Sequence, residues 1–105
     1  MYVTDKVYHL YIMTNAPRGV LYVGISSYPP GRALEHREGL VPGFTERYHL
    51  TRLVWYEAHL DAGLAAHRER LIKRRRRAWK IELVERDNPT WADHYDALLR
   101  EEGFE

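Results

Sequence analysis

KVYHLYIMTNAPRGVLYVGI, residues 6–25, decides the fold. Tyr8, Leu10 and Ile12 alternate with His9, Tyr11 and Met13, and the run is rich in β-branched and aromatic residues. Residues 6–13 therefore read as a strand. NAPRG, residues 15–19, is a turn punctuated by Pro17 and Gly19, and VLYVGI, residues 20–25, is a second strand. Strand, short turn and strand make an antiparallel hairpin.

Working outward, SSYPPGRALEHREG, residues 26–39, predicts a short helix capped by Ser26 or Ser27 and ended by Gly39. Residues 40–50 form a loop around Pro42 and Gly43. TRLVWYEAH, residues 51–59, predicts a third strand with Leu53, Trp55 and Glu57 on one face and Val54 and Tyr56 on the other. Residues 61–88 are helical and divide into two helices, with Asp61 as the first cap and an apolar stripe through Leu60, Leu64 and Leu71. Asn88 and Pro89 stop that run. Residues 90–103 predict a last helix with Trp91, Tyr95, Leu98 and Leu99 on one side and Gly103 at its end. Three strands without repeated βαβ units indicate an α+β fold, a small antiparallel sheet with helices over it. The 105 residues suit one domain, 1–105, with its core over about 6–95.

The composition is that of a soluble globular protein, 45% hydrophobic and 30% charged. The absence of cysteine excludes a disulfide framework and thiolate metal sites. The N-terminus, MYVTDKVYHLY, lacks the pattern of a secretion signal, and no apolar run approaches the ~20 residues that span a bilayer. No membrane association and a cytoplasmic location are therefore expected. The net charge of +1 hides a sharp division. RERLIKRRRRAWK, residues 68–80, holds eight of the sixteen basic residues and only Glu69 against them, while eight of the fifteen acids lie after residue 81. Such a belt is either a polyanion-binding surface or a solvated helix face.

Few residues suggest chemistry. Tyr11 and Tyr22 lie in neighbouring strands, and Gly24, two residues on, leaves room for a close approach. Taken alone, tyrosines on a sheet are packing residues. Arg32 and His36, four apart on the short helix, offer planar donors for a phosphate and a group that moves a proton near neutral pH; an isolated pair of this kind is usually plain surface. Glu69 falls beside Ala62, Ala65 and Ile72 on the helical wheel, so it is either a half-buried ion pair or a ligand for a hard divalent cation. The six histidines show no zinc-binding spacing, and no phosphate loop, dinucleotide fingerprint or nucleophile elbow is present.

HLYIM, then LYVGIS, then Arg32 ten residues and His36 fourteen residues after Tyr22 resemble a GIY-YIG endonuclease domain. The triplets here are His9-Leu10-Tyr11 and Tyr22-Val23-Gly24. RERLIK with Glu69, AWKIELVERDNPTW with Asn88, and GLVPGFTERYHLTRLVWYE resemble the small stand-alone members of that superfamily. His9 stands where the name-giving glycine would, and ISSYPPG separates Gly24 from Arg32 where relatives usually carry a polar cap and a basic turn. The resemblance implies hydrolysis of phosphodiester bonds with one divalent metal ion, Mg²⁺ or Mn²⁺. It implies that Tyr11 and Tyr22 are the triplet tyrosines, that Arg32 and His36 face the scissile phosphate, that Glu69 holds the metal and that Asn88 supports the site.

The expected partner is nucleic acid, most simply DNA, tracked by Arg68, Lys73, Arg74, Arg75, Arg76, Arg77 and Lys80, in a setting of repair or recombination. Trp79, Tyr28 and Tyr48 could stack on unpaired bases, although aromatics more often fill small cores. Any sequence preference comes from this surface or from a protein partner. The rival readings are a nucleic-acid-binding module without catalysis and a protein-interaction domain.

Overall fold

The computed structural model describes residues 7–27 and 48–101. The helix expected over 26–39, with Arg32 and His36, lies almost wholly outside them; Ser26, offered as its cap, ends the second strand. Strands β1 (Tyr8–Thr14), β2 (Leu21–Ser26) and β3 (Arg52–His59) form an antiparallel sheet in the order β2-β1-β3. Helices α1 (Ala62–Arg74), α2 (Arg77–Asp87) and α3 (Tyr95–Glu101) follow. The α+β architecture is as the hairpin and third strand predict.

β1 is central, and both its faces are covered. Leu10 and Ile12 join Val23, Val54 and Trp55 beneath Ala65 and Ile72 of α1 and Leu83 and Val84 of α2. Tyr11 and Met13 join Leu50, Leu53 and Leu98 on the other face, the last of these from α3. Leu10, Ile12 and Met13 are fully buried, and each such side chain contributes about 1.5–3 kcal/mol relative to exposure. The hairpin turn is closed by Asn15, whose Oδ1 accepts from the Val20 amide at 2.9 Å, and Arg18 takes the left-handed φ of 53°.

The third strand does not keep the simple alternation. Ile12 pairs with Trp55 but Met13 pairs with Leu53, so Val54 is the extra residue of a β-bulge. The bulge sends Leu53 to the Tyr11 face and Val54 and Trp55 to the Leu10 face. The shared face expected for Leu53 and Trp55 is thereby corrected.

Asp61 caps α1, its Oδ1 accepting from the Leu64 amide at 2.8 Å. The apolar stripe expected through Leu60, Leu64 and Leu71 is not the core face: these residues are 76%, 64% and 39% exposed. Ala65 and Ile72 are buried instead. The helix ends at Arg75 and a second begins after Arg76, both residues extended with ψ of 153°. A continuous helix would add Lys73 against Arg76 and Arg77, and Arg74 against Arg77, like charges at i,i+3 and i,i+4 that oppose helix formation and that the break separates.

The last helix begins later than the pattern predicts, at Tyr95. Residues 88–94 instead cover the open edge of β3. The His94 amide donates to Leu53 O at 2.7 Å, the Leu53 amide to Asp93 Oδ1 at 3.2 Å, and Arg52 Nη1 to Trp91 O at 3.2 Å. A strand edge satisfied this way is closed to pairing with another chain. Trp91, with φ of 59°, is 2% exposed in the core rather than on the face of α3.

Candidate active site

Register builds the site. Tyr11 stands opposite Gly24 on one side and Tyr56 on the other. Tyr22 shares its face, and the Tyr11 and Tyr22 rings lie 6.3 Å apart at 31°. Gly24 has no unusual backbone; its requirement is steric. A Cβ added there would sit 2.5 Å from Tyr11 Cζ and closer still to the phenol oxygen. The close approach anticipated at Gly24 is thus made by Tyr11 itself. Tyr11 is 2% exposed, whereas Tyr22 is half-buried.

His9 and Tyr56 complete this face, and neither was singled out for chemistry. Their rings are 6.1 Å apart, and His9 is 5% exposed. The signal for His9 was available, since it lies two residues before Tyr11 on the same strand face. Tyr56 needed the register across β1 and β3, which the bulge conceals.

Glu69 is the single acid of α1 and lies between Ala65 and Ile72, the α1 residues that pack with Leu10 and Ile12 of the sheet. Its side chain is only 16% exposed, with Lys73 Nζ 3.6 Å from Oε1. No group of three His, Cys, Asp or Glu side chains that could hold a metal exists among the described residues. Arg32 and His36 are outside those residues. Tyr11 and Tyr22 are therefore brought together, and Glu69 is carried by a different layer.

Asn88 is a strut. Its Nδ2 donates to Val54 O at 3.0 Å and to Ala92 O at 2.9 Å, and its Oδ1 accepts from the Ala92 amide at 3.0 Å. It ties the end of α2 to the bulge of β3, beside a cavity of about 170 Å³ that Val54, Trp55, Tyr56, Asp87 and His94 also line.

The basic belt divides by partner. Arg68 Nε and Nη2 reach the two Glu57 oxygens at 3.1 and 3.4 Å, and His59 Nε2 is 2.7 Å from Glu57 Oε1. Burial alone would raise the Glu57 pKa, but the bonds with Arg68 and His59 outweigh it, so the value is lowered. Arg77 donates to Arg18 O, and Lys80 Nζ donates to Lys73 O at 3.3 Å. Burial, then Lys73, lowers the Lys80 pKa. Arg75 lies over the Trp79 ring, 5.1 Å from its centroid. Arg74 and Arg76 have no ion pair among the described residues.

The hairpin is tied to α2 by Arg18, which grips Glu85 through Nε to Oε2 at 3.0 Å and Nη2 to Oε1 at 2.8 Å. Trp91 Nε1 adds a third bond to Oε2 at 2.7 Å. The bonds from Arg18 and then Trp91 bring the Glu85 pKa down to about 2.

Neither a curated protein nor a solved structure matches the chain. The model of the GIY-YIG catalytic domain matches residues 7–82, a span that holds both tyrosines, Gly24, Arg32, His36 and Glu69 and ends before Asn88. Because that span is most of the 105 residues, the chain belongs to the GIY-YIG family, and the family points to a nuclease.

Proposed function

We propose that this protein is a divalent-metal-dependent endonuclease that hydrolyses phosphodiester bonds of single-stranded or structured DNA in the cytoplasm. The observation that carries the reading is the Tyr11–Tyr22 pair held over a glycine that only this packing requires, inside the family match. The chemistry needs a water oxygen to bond to phosphorus as the P–O3′ bond breaks, with the water giving up a proton and the leaving oxygen gaining one.

Glu69, half-buried with Lys73 Nζ 3.6 Å from Oε1, is the carboxylate that would hold a hard cation in place of that lysine, Mg²⁺ or Mn²⁺, which keep water and substrate phosphate oxygens as their other ligands. When bound, such an ion supplies Lewis acidity at the phosphate. The protein groups do the rest. Tyr11, fixed in place by its contact with Gly24, orients the attacking water, with His36 to receive the proton. Tyr22, the more accessible phenol, meets the phosphate. Arg32 holds a nonbridging oxygen and stabilises the charge that grows there. Asn88 acts at one remove, by holding β3. Specificity comes from this surface or from a protein partner.

The test is cleavage of labelled single-stranded, duplex and branched DNA with Mg²⁺ or Mn²⁺, wild type beside Glu69→Gln, Tyr11→Phe and Arg32→Ala. Metal-dependent cutting is expected, lost in Glu69→Gln and lowered at least ~10²-fold in Arg32→Ala. Full activity in Glu69→Gln or in Tyr11→Phe removes that residue from the mechanism. No cutting of any substrate, with salt-sensitive binding kept, turns the reading to a binding module.

A further inference from the structure

The basic belt contains a recess that phosphate tracking does not explain. At the junction of α1 and α2 a concavity of about 430 Å³ is lined by Arg74, Arg75, Arg76, Ala78, Trp79 and Glu82. Its volume falls in the range of small-ligand sites, roughly 300–1,000 Å³. Around it, the other basic side chains of the belt are largely engaged within the fold: Arg68 with Glu57, Lys73 with Glu69, Arg77 with Arg18 O and Lys80 with Lys73 O. Arg74 and Arg76 are exposed and carry no ion pair among the described residues. Three consecutive arginines thus line one recess, two of them without an ion pair among the described residues.

The recess also has an aromatic wall. Trp79 is half-buried, packed against the core cluster of α1 and α2, so its ring is held in place. Arg75 lies over that ring. A guanidinium stacked on an indole presents its outer plane to solvent, and that plane stacks on a nucleobase as readily as on an indole. Glu82 on the same wall is an acceptor for an exocyclic amine, as carboxylates are towards cytosine. A paired duplex presents its phosphates on a convex surface and keeps its base faces stacked inside. An unpaired nucleotide offers a base face and a phosphate together.

We propose that this recess takes one unpaired nucleotide, its base stacked on the Arg75–Trp79 pair and its phosphate held by Arg74 and Arg76. The recess rests on the nuclease reading for its substrate, and it narrows that substrate to single strands and to structures with an extruded base. It makes the α1–α2 junction a binding subsite carried by a different part of the chain from the tyrosine face.

The test is binding without metal, so that cutting plays no part. A labelled oligo-dC octamer is compared with an abasic octamer of equal charge, in chelator at fixed salt. Wild type should bind the oligo-dC about 5-fold or more tightly than the abasic strand, the scale of one stacked base. Arg75→Gln, a surface change that leaves Trp79 in place, should bring the two strands to within about twofold. Arg74→Gln with Arg76→Gln should weaken both strands and reduce the salt slope by roughly 0.7 for each lost phosphate contact. Equal binding of the two strands by wild type, or a base preference untouched by Arg75→Gln, overturns the proposal. Cleavage with Mg²⁺ or Mn²⁺ is measured separately. Base-dependent binding with no cutting leaves the recess standing and sinks the nuclease reading; cutting without base-dependent binding does the reverse.

Discussion

Gly24→Ala is the sharpest probe of the candidate site, because its effect can be worked from one contact. The new methyl carbon would lie 2.5 Å from Tyr11 Cζ. Carbon atoms rest at about 3.5–4.0 Å, so the ring must retreat by at least ~1 Å. Tyr11 is 2% exposed and packed with Met13, Leu50 and Leu53, so the space behind it is filled. Overpacking of this size costs about 1–3 kcal/mol, and replacing a strand glycine by alanine returns roughly 0.5–1 kcal/mol. The net loss is at most about 2.5 kcal/mol and centres on about 1.3 kcal/mol, a fall of ~5–10 °C in Tm for a chain of this length. Catalysis should suffer more. A displacement of ~1 Å in a positioned group lowers a rate by about 10²-fold, so the variant should remain folded well above the assay temperature and yet cut at ~1% of the wild-type rate. The assay pairs a thermal melt with metal-dependent cleavage. Tyr11→Phe in the same background removes the atom nearest the new methyl and should recover part of the lost stability without recovering activity. A Gly24→Ala protein that melts within ~2 °C of wild type and cuts within a few-fold of it would refute both the packing argument and the role given to Tyr11.

Two further outcomes rest on the scaffold. Asn88→Ala removes three hydrogen bonds and leaves the Val54 carbonyl without its side-chain donor; a loss of about 2–4 kcal/mol is expected in denaturant titration, and a loss under ~0.5 kcal/mol would mean that the strut carries no load. Glu85, held at about 2 against an ordinary 4.5, adds stability that is complete above pH 4.5 and fades as the pH falls from 4.5 towards 2. The Tm of Glu85→Gln should therefore lie below wild type at neutral pH and meet it near pH 2, and parallel curves across that window would show that the Arg18–Glu85–Trp91 contact does not tune folding.

The hairpin was legible because two independent signals agree there, a period of two along β1 and β2 and a turn of Asn, Pro and Gly between them. The Glu69 stripe was legible for a similar reason: a carboxylate spaced among Ala62, Ala65 and Ile72 stands out on a helical wheel, and of these neighbours Ala65 and Ile72 are buried while Ala62 is exposed. Where the reading failed, the deciding contact was distant in sequence. The bulge at Val54 changes which face Leu53 meets, and nothing local marks it. Trp91 fits the periodicity of α3, but its indole donates to Glu85 and its segment closes the edge of β3. Within the basic run, Arg68 and Arg74 look alike; only the position of Glu57 on β3 separates an arginine held inside the fold from one open to a ligand.

The orientation of α1 is where local preference and function part company. Hydrophobicity alone would turn Leu64 and Leu71 to the sheet, and these are the α1 residues the fold leaves in solvent. What faces the sheet instead is Ala65, Glu69 and Ile72, a stripe with one small residue, one carboxylate and one large apolar side chain. Turning the helix by about one residue position, ~100° for a 3.6-residue repeat, would bring Leu64 and Leu71 to the sheet, send Ala65 and Ile72 out to solvent and carry Glu69 away from the sheet, a net gain of roughly one buried leucine, about 1.5–3 kcal/mol. Conflicts of this kind between local pattern and global fold concentrate at functional sites. Leu64 and Leu71 in solvent beside a Glu69 that is 16% exposed and 3.6 Å from Lys73 Nζ are therefore a local conflict of that kind, and it is the conflict that the proposed metal-binding role of Glu69 would explain.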